Sequence, residues 1–359
     1  VSRPWTWRDA GPDDYEDQAR LFNECFRKDK TPDTFRWKYA ENPHGPALSR
    51  VACNAEGEVV GGYSYVPRRF FRDGQPLVLM QASDAMVSPN ARRQRIFTGL
   101  DDIVCEAAGA EGIDWAYAYS GRLSFNGFLG NGWKCIGHAQ VLRYRFRSAR
   151  DLARRGRAGP ALVKLAPLVD PWFRRRDRRL SAHEQDVAAL TRVERFDPTF
   201  DELDQATRPA TGLVGERDHA WLNWRYIDTP SQRARCWALR GPDGQELLGW
   251  LVAEFVDGNA YLVDHQARDE AVRARILGAF TAMAHARGME EATAMLFEHN
   301  PATATLLSLG WKTPRGRKEF RDVFPWIVRA CHPGAPDADL AMTRWHLADG
   351  DRDAEHMSP

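Results

Sequence analysis

The sequence predicts an α/β (α+β) protein built from two related units in tandem, and three observations carry that expectation. The chain repeats itself: Trp37-Lys38-Tyr39 with Pro43 returns as Trp224-Arg225-Tyr226 with Pro230, and Gly57 returns as Gly244. Further on, Asp84, Arg95 and Ile96-Phe97 return as Asp264, Arg275 and Ile276-Leu277, and Gly132-Trp133-Lys134 as Gly310-Trp311-Lys312. An ordered series of such matches marks an internal duplication. Within each unit, stretches of period-two alternation give way to stretches of helical spacing, the pattern of mixed strands and helices. Length and composition agree, since 359 residues suffice for two ordinary domains, and 43% hydrophobic with 28% charged residues describes a globular chain.

The elements follow in order. Residues 5–27 read as a strand and an amphipathic helix whose apolar side holds Tyr15, Ala19, Leu21, Phe22 and Phe26, with Asp13-Asp14 suited to its start. After Phe35-Arg36-Trp37-Lys38-Tyr39 and Asn42-Pro43, residues 51–54 and 59–65 form a hairpin across Glu56-Gly57-Glu58. Residues 77–87 form the strand on which the unit is organised. Strict alternation places Val78, Met80, Ala82, Asp84 and Met86 on one face, so a single carboxylate stands among apolar neighbours. Ser88-Pro89-Asn90 ends that strand and Arg92-Arg93-Gln94-Arg95 follows. From Ile96 the apolar positions Ile96, Phe97, Leu100, Ile103, Val104 and Ala107 take helical spacing. A helix N-terminus preceded by three arginines favours a bound anion through backbone N–H groups, dipole and side-chain charge together. A strand over 113–119, a short helix over 124–130, a turn at Gly132-Trp133 and a strand over 141–146 complete the unit.

This stretch resembles the cofactor-binding segment of the GNAT acyltransferases, a strand followed by Arg-x-x-Gly-x-Gly/Ala and a helix. Arg92-Arg93-Gln94-Arg95-Ile96-Phe97 occupies that motif, with Arg95 and Phe97 where small residues are usual. Tyr119-Ser120-Gly121-Arg122-Leu123-Ser124, continuing to Phe128 and Gly132-Trp133, resembles the family's second segment, with Gly121 in place of Asn and Phe128 in place of Tyr. The resemblance covers nearly all of the chain outside its linker and tail. It implies two tandem GNAT-like domains, each a mixed, mostly antiparallel twisted sheet flanked by helices. It also implies acetyl-CoA or another acyl-CoA as co-substrate, gripped by the strand backbone at Met86 and Val87, by the loop and helix start at Arg92, Arg93, Gln94, Arg95, Ile96, Phe97 and Thr98, and by Phe128. Asp84 is the expected general base, since burial on an apolar face favours a carboxylate that can take a proton; the other reading is a paired, structural carboxylate. Ser124 is the candidate hydroxyl near the thiol.

The units are expected at 1–147 and 191–349, with a linker at 148–190 and a disordered tail at 350–359. The second lacks the basic loop: Arg268-Asp269-Glu270 sets two acids where a pyrophosphate would need positive charge, and Leu306 stands in the tyrosine position. It reads as degenerate, and Asp264-His265 in it is either a catalytic pair or a structural one. The Trp-Lys-Tyr and Trp-Arg-Tyr segments, present in both units, read as interface packing. Residues 150–179, basic at both ends around an apolar centre, read either as a helical linker or as a contact for a membrane surface or carrier.

A formal net charge of +1 gives no global argument for nucleic acid. Six widely spaced cysteines show neither a disulfide framework nor a zinc pattern, and no metal is expected. With no secretory signal and no apolar run of membrane-spanning length, the expected location is the cytoplasm. The function expected is transfer of an acyl group from acyl-CoA to a primary amine of a small molecule or sugar. The alternatives are a Fem-like aminoacyl transferase and a non-catalytic pair that binds an acyl carrier or partner.

Overall fold

The computed structural model describes residues 4–146, 182–313 and 323–352, with 164, 168 and 180 as isolated positions. The expectations for 150–179 and for the last seven residues lie outside the described residues. The first half runs β1 (Thr6–Asp9), α1 (Tyr15–Phe26), α2 (Pro32–Tyr39), β2 (Leu48–Cys53), β3 (Val59–Arg72), β4 (Gln75–Val87), α3 (Ile96–Ala110), β5 (Trp115–Tyr119), α4 (Phe125–Leu129) and β6 (Lys134–Arg145). The second half runs α5 (Glu184–Ala189), β7 (Leu190–Val193), α6 (Thr199–Thr207), β8 (Leu213–Gly215), α7 (His219–Tyr226), β9 (Arg235–Arg240), β10 (Leu247–Val256), β11 (Asn259–Ala267), α8 (Glu270–Ala286), β12 (Glu291–Leu296), α9 (Pro301–Ser308), β13 (Val323–Ala330) and β14 (Trp345–His346). The β3–β4 hairpin extends well beyond the short strand read from 59–65, because Pro67, Arg68 and Arg69 continue the ladder opposite Met80, Leu79 and Val78.

One sheet runs through both halves in the order β1-β2-β3-β4-β5-β13-β6-β12-β11-β10-β9-β7. Most neighbours are antiparallel, while β4–β5, β11–β12 and β8–β14 are parallel. The order reveals an exchange. Strand β13 of the second half lies against β5 of the first, Trp326 opposite Tyr119, and β6 of the first half lies against β12 of the second, Leu296 opposite Gln140. The duplication is sequential in the chain but interlocked in space.

Two further devices join the halves. Trp37 and Trp224, from α2 and α7, stack with ring centroids 4.7 Å apart and planes 18° from parallel. Each indole N–H donates to the other residue's carbonyl, Trp37 Nε1 to Trp224 O at 2.8 Å and Trp224 Nε1 to Trp37 O at 2.9 Å. This satisfies two buried donors with the fewest groups. The recurring aromatic segments thus meet across the interface, as their repetition led us to expect. The second device is Asp101 on α3, fully buried, which accepts from Tyr65 Oη, Asn131 Nδ2, Trp133 Nε1 and, at 2.6 Å, Arg329 Nη1 of β13. Arg329 also reaches Asp102 at 2.7 Å. An exchanged strand is thereby tied to a helix of the other half by charge.

One expectation about the ends needs correction. The disordered tail expected from residue 350 does not begin there, because Gly350 and Asp351 are buried, and Arg217 Nη2 donates to Asp351 Oδ2 at 2.8 Å. Their polarity suggested exposure, but the partners that bury them are distant in sequence.

Removing one member of a buried charge network leaves the others uncompensated, so Asp101→Ala should lower the unfolding free energy by about 3–5 kcal/mol. Urea unfolding followed by tryptophan fluorescence reads that loss directly.

Candidate functional site

The strand β4 does not alternate to its end. Gly62 pairs with Met86 but Ser64 pairs with Ser83, so the ladder slips and β4 bulges at Asp84 and Ala85. Asp84 sits there with φ +49°, left-handed backbone that a non-glycine residue adopts only at a cost. A bulge of one residue reverses which side chains face which way. Met80 and Ala82 pack with Ile96 and Leu100 under α3, and beyond the bulge it is Ala85 and Val87 that join them. Met86 instead packs with Tyr15, Leu21 and Tyr39 on the opposite face. The shared face read for Met80, Ala82, Asp84 and Met86 is therefore split by the bulge, which strict alternation cannot anticipate.

Asp84 lies on the α1–α2 side, and its environment is ionic rather than apolar. Lys38 Nζ lies 3.0 Å from Oδ2, Tyr39 Oη donates to Oδ2 at 2.8 Å, and Lys30 Nζ lies 3.4 Å from Oδ1. Only 4% of the carboxylate side chain is exposed. Arg92, Arg93 and Arg95 stay apart from it.

Those arginines and Gln94 are all exposed in the loop before α3. None of the three guanidiniums enters an ion pair among the described residues. Arg93 and Arg95 take φ +67° and +59°, so the loop keeps left-handed geometry with arginine in the glycine position of the resembled motif. No side chain caps α3, whose N-cap residue is Arg95 itself. Its first N–H groups, which by geometry have no partner within the helix, point into this basic loop. Ile96 anchors the helix start, pressing so closely on Gly61 that a Cβ there would collide with it. Thr98 Oγ1 donates to Arg95 O at 3.3 Å. Phe97 packs edge-on against Phe128 with centroids 5.1 Å apart and leans over Gly127, sealing α3 against α4. Ser124 stands beside this seal, its Oγ 3.4 Å from Ser120 Oγ. The loop, α3 and α4 thus come together on one side of β4, and Asp84 with Met86 on the other. Val87 O, at the junction, accepts from Cys25 Sγ at 3.3 Å.

The wall of a cleft follows from the sheet. Strands β4 and β5 pair in parallel only at Met80–Ala116 and Gln81–Tyr117, and part beyond Gln81. A parting of parallel strands, with an uncapped helix N-terminus and unpaired arginines above it, suits a ligand that is extended along its length and anionic at its end. The sequence model of the Acetyltransferase (GNAT) domain family matches residues 6–134, which span this whole arrangement. Residues 6–134 are a GNAT domain. No curated protein sequence matches it. Among solved structures, a GCN5-related N-acetyltransferase from Anabaena variabilis superposes with a TM-score of 0.63 at 15% identity, covering 91% of this chain and 73% of that one. A probable N-acyltransferase of unknown function from Enterococcus faecalis gives 0.61 at 10%, with 91% and 73% covered. Saccharomyces cerevisiae N-myristoyltransferase, solved with myristoyl-CoA and inhibitors, gives 0.61 at 12%, with 92% and 80% covered. At these identities the likeness speaks for the fold.

The second half of the chain keeps the framework and fills the cleft. Tyr226 Oη donates to Asp264 Oδ2 at 2.9 Å, as Tyr39 does to Asp84, and β11 bulges opposite Val252 and Ala253. The N-terminus of α8 is closed by its own residue, Asp269, whose carboxylate accepts from Val272 N at 2.9 Å. The gap where β11 and β12 part beyond Leu262–Ala294 is taken by residues 347–351. Ala348 packs with Leu262, Leu296 and Leu306, Asn300 Nδ2 donates to Leu347 O at 2.8 Å, and Gly350 lies so close to Asp264 and Tyr226 that no larger residue fits. Asp264 and His265 do not form a side-chain pair. Asp264 takes Arg217 Nε and the His265 backbone N–H, while burial and the charges of Arg273 and Arg217 push the His265 ring down to about 3.

One cluster has the composition of a metal site: His44, Glu216 and Asp218 offer ligand atoms within 4.8 Å of one another. Its chemistry is that of an ion-pair network. Arg69 lies 2.6 Å from Glu216 and 3.6 Å from Asp218, and its backbone N–H donates to His44 Nδ1, which leaves the ring proton on Nε2, 3.7 Å from Glu216.

Sequence reasoning missed Lys30, Lys38 and Tyr39 as partners of Asp84, and the C-terminal segment as an occupant. A signal existed for Tyr39, since tyrosine and aspartate recur together in both halves. No helix among the described residues is long and apolar enough to cross a membrane.

The inserted segment carries a titration. Burial pushes the Asp349 carboxyl up to about 7, with Arg352 and Arg225 pulling against it. A raised acid holds its proton in the folded state while the unfolded chain releases it, so stability contributed by this group falls as pH rises from about 4 to about 7. Asp349→Asn should match the wild type at pH 4 and exceed it at pH 8 by on the order of 1–3 kcal/mol, measured by denaturant melts at both values.

Proposed function

We propose that the protein is an N-acyltransferase that binds acyl-CoA on its first half and passes the acyl group directly to a primary amine of a small-molecule or sugar acceptor. The observation that carries this reading is the contrast between two equivalent helix starts. That of α3 is uncapped and flanked by Arg92, Arg93 and Arg95, whereas that of α8 is occupied by Asp269. The pyrophosphate would rest on the first N–H groups of α3, and the pantetheine arm would run along the β4 backbone at Met86 and Val87. The amine nitrogen attacks the thioester carbon, the C–N bond forms as the C–S bond breaks, the amine gives up a proton, and the thiolate takes one. In this reading Ser124 would give the thiolate its proton. No acyl-enzyme is needed, so no nucleophile–base pair is required. The small amine as partner and the cytoplasm as location belong to this proposal.

Calorimetric titration with acetyl-CoA tests it. One site per chain is expected, and Arg92→Glu with Arg93→Glu should weaken it by at least about tenfold, since the phosphate contacts turn repulsive. Two sites per chain would show the second cleft to be open. No binding would leave a non-catalytic pair that recruits a carrier or partner.

A further inference from the structure

We propose that Asp84 is a positioning residue, which pins the β4 bulge beside the acyl site through Tyr39, Lys38 and Lys30, and that the second half anchors this pin through the Trp37–Trp224 stack. The bulge is where β4 turns its backbone toward the cleft, and it rests on a residue in left-handed backbone at φ +49°. Such a conformation persists only when its surroundings hold it. Aspartate is one of the few residues that tolerate that region, and here both its oxygens are engaged, by Tyr39 and Lys38 on Oδ2 and Lys30 on Oδ1.

The second half supplies a natural control. Tyr226 holds Asp264 as Tyr39 holds Asp84, at 2.9 Å against 2.8 Å, in a cleft that the chain's own residues 347–351 fill. A carboxylate kept on the same tyrosine where no ligand can enter is kept for the strand. Both strands are bulged beside the aspartate, in different places: Asp84 lies in the bulge itself at φ +49°, whereas Asp264 pairs with Val252 next to the unpaired Val263.

The line of force continues outward. Trp37, Lys38 and Tyr39 are consecutive on the last turn of α2, so the indole that stacks on Trp224 and the hydroxyl that holds Asp84 belong to one rigid piece of helix. Trp224 and Tyr226 are arranged alike on α7. The two bulges are thus linked through Tyr39, Trp37, Trp224 and Tyr226, and the half without an open cleft helps set the geometry of the half that has one.

This inference rests on the reading of the β4 cleft as the acyl-CoA site, so its test has one readout that needs no ligand. Amide hydrogen exchange at residues 83–87 is measured in the wild type, Asp84→Asn, Asp84→Ala, Tyr39→Phe and Trp224→Ala, beside acetyl-CoA affinity by calorimetry. Asparagine tolerates left-handed backbone and can still accept from Tyr39, whereas alanine does neither. Exchange should therefore rise most in Asp84→Ala, by about tenfold or more, less in Tyr39→Phe and Trp224→Ala, and least in Asp84→Asn. Affinity should fall in the same order. Unchanged exchange in Tyr39→Phe and Trp224→Ala would overturn the proposal even if Asp84→Ala fails to fold. Wild-type exchange and affinity in Asp84→Asn, with the acidic limb of the rate–pH profile lost, would make Asp84 a base instead. If the wild type does not bind acetyl-CoA but the exchange order holds, the pin stands and the functional reading falls.

Discussion

The reciprocal bond between Trp37 and Trp224 is the constraint on which the rest of the molecule depends. Each ring lies against the other, and each indole N–H is satisfied by the other's backbone. Such an exchange is possible only when two like segments face each other about an approximate two-fold axis. It therefore fixes the relative placement of α2 and α7, and with them Tyr39 and Tyr226, the strand aspartates they hold, and the parting strands beyond. The exchange of β6 and β13 works to the same end, since neither half's sheet is completed by its own last strand.

A symmetric frame need not carry symmetric function. The halves differ at two places where a coenzyme would need room and positive charge. Asp269 supplies α8 with an internal anion, and residues 347–351 supply the β11–β12 gap with an internal chain. Both substitutions satisfy locally what a ligand would otherwise satisfy, namely free N–H groups at a helix start and unpaired strand edges. A fold can thus lose a site while keeping the polar accounting of its backbone closed. Among the described residues of the first half, no side chain caps the start of α3, and β4 pairs with β5 only at Met80 and Gln81.

The halves also show how charge is managed at the centre. Arg217 lies between Asp264 and Asp351, and Arg68 stacks on Trp221 at 3.6 Å with Asp351 3.5 Å away. Arginine suits this place because its planar group can stack on an aromatic face and meet a carboxylate at its edge. The C-terminal segment enters as the counter-charge, which is why polar residues that look like a tail are buried.

The sequence by itself determined the duplication, the order of strands and helices, the basic loop before α3 and the loss of that loop in the second half. These are local or periodic properties: repeated aromatics, alternation, helical spacing and runs of one charge are visible without knowing what lies opposite. Only the tertiary structure decided where Asp84 points, what holds it, which strand completes which sheet and what fills the second cleft. A bulge shifts a strand by one residue because of its neighbour's register, and period-two reading cannot see a neighbour. The partners Lys30, Lys38, Arg329 and Gly350 are brought in by chain closure over long separations, and that closure is written in the packing of both halves rather than in any one stretch.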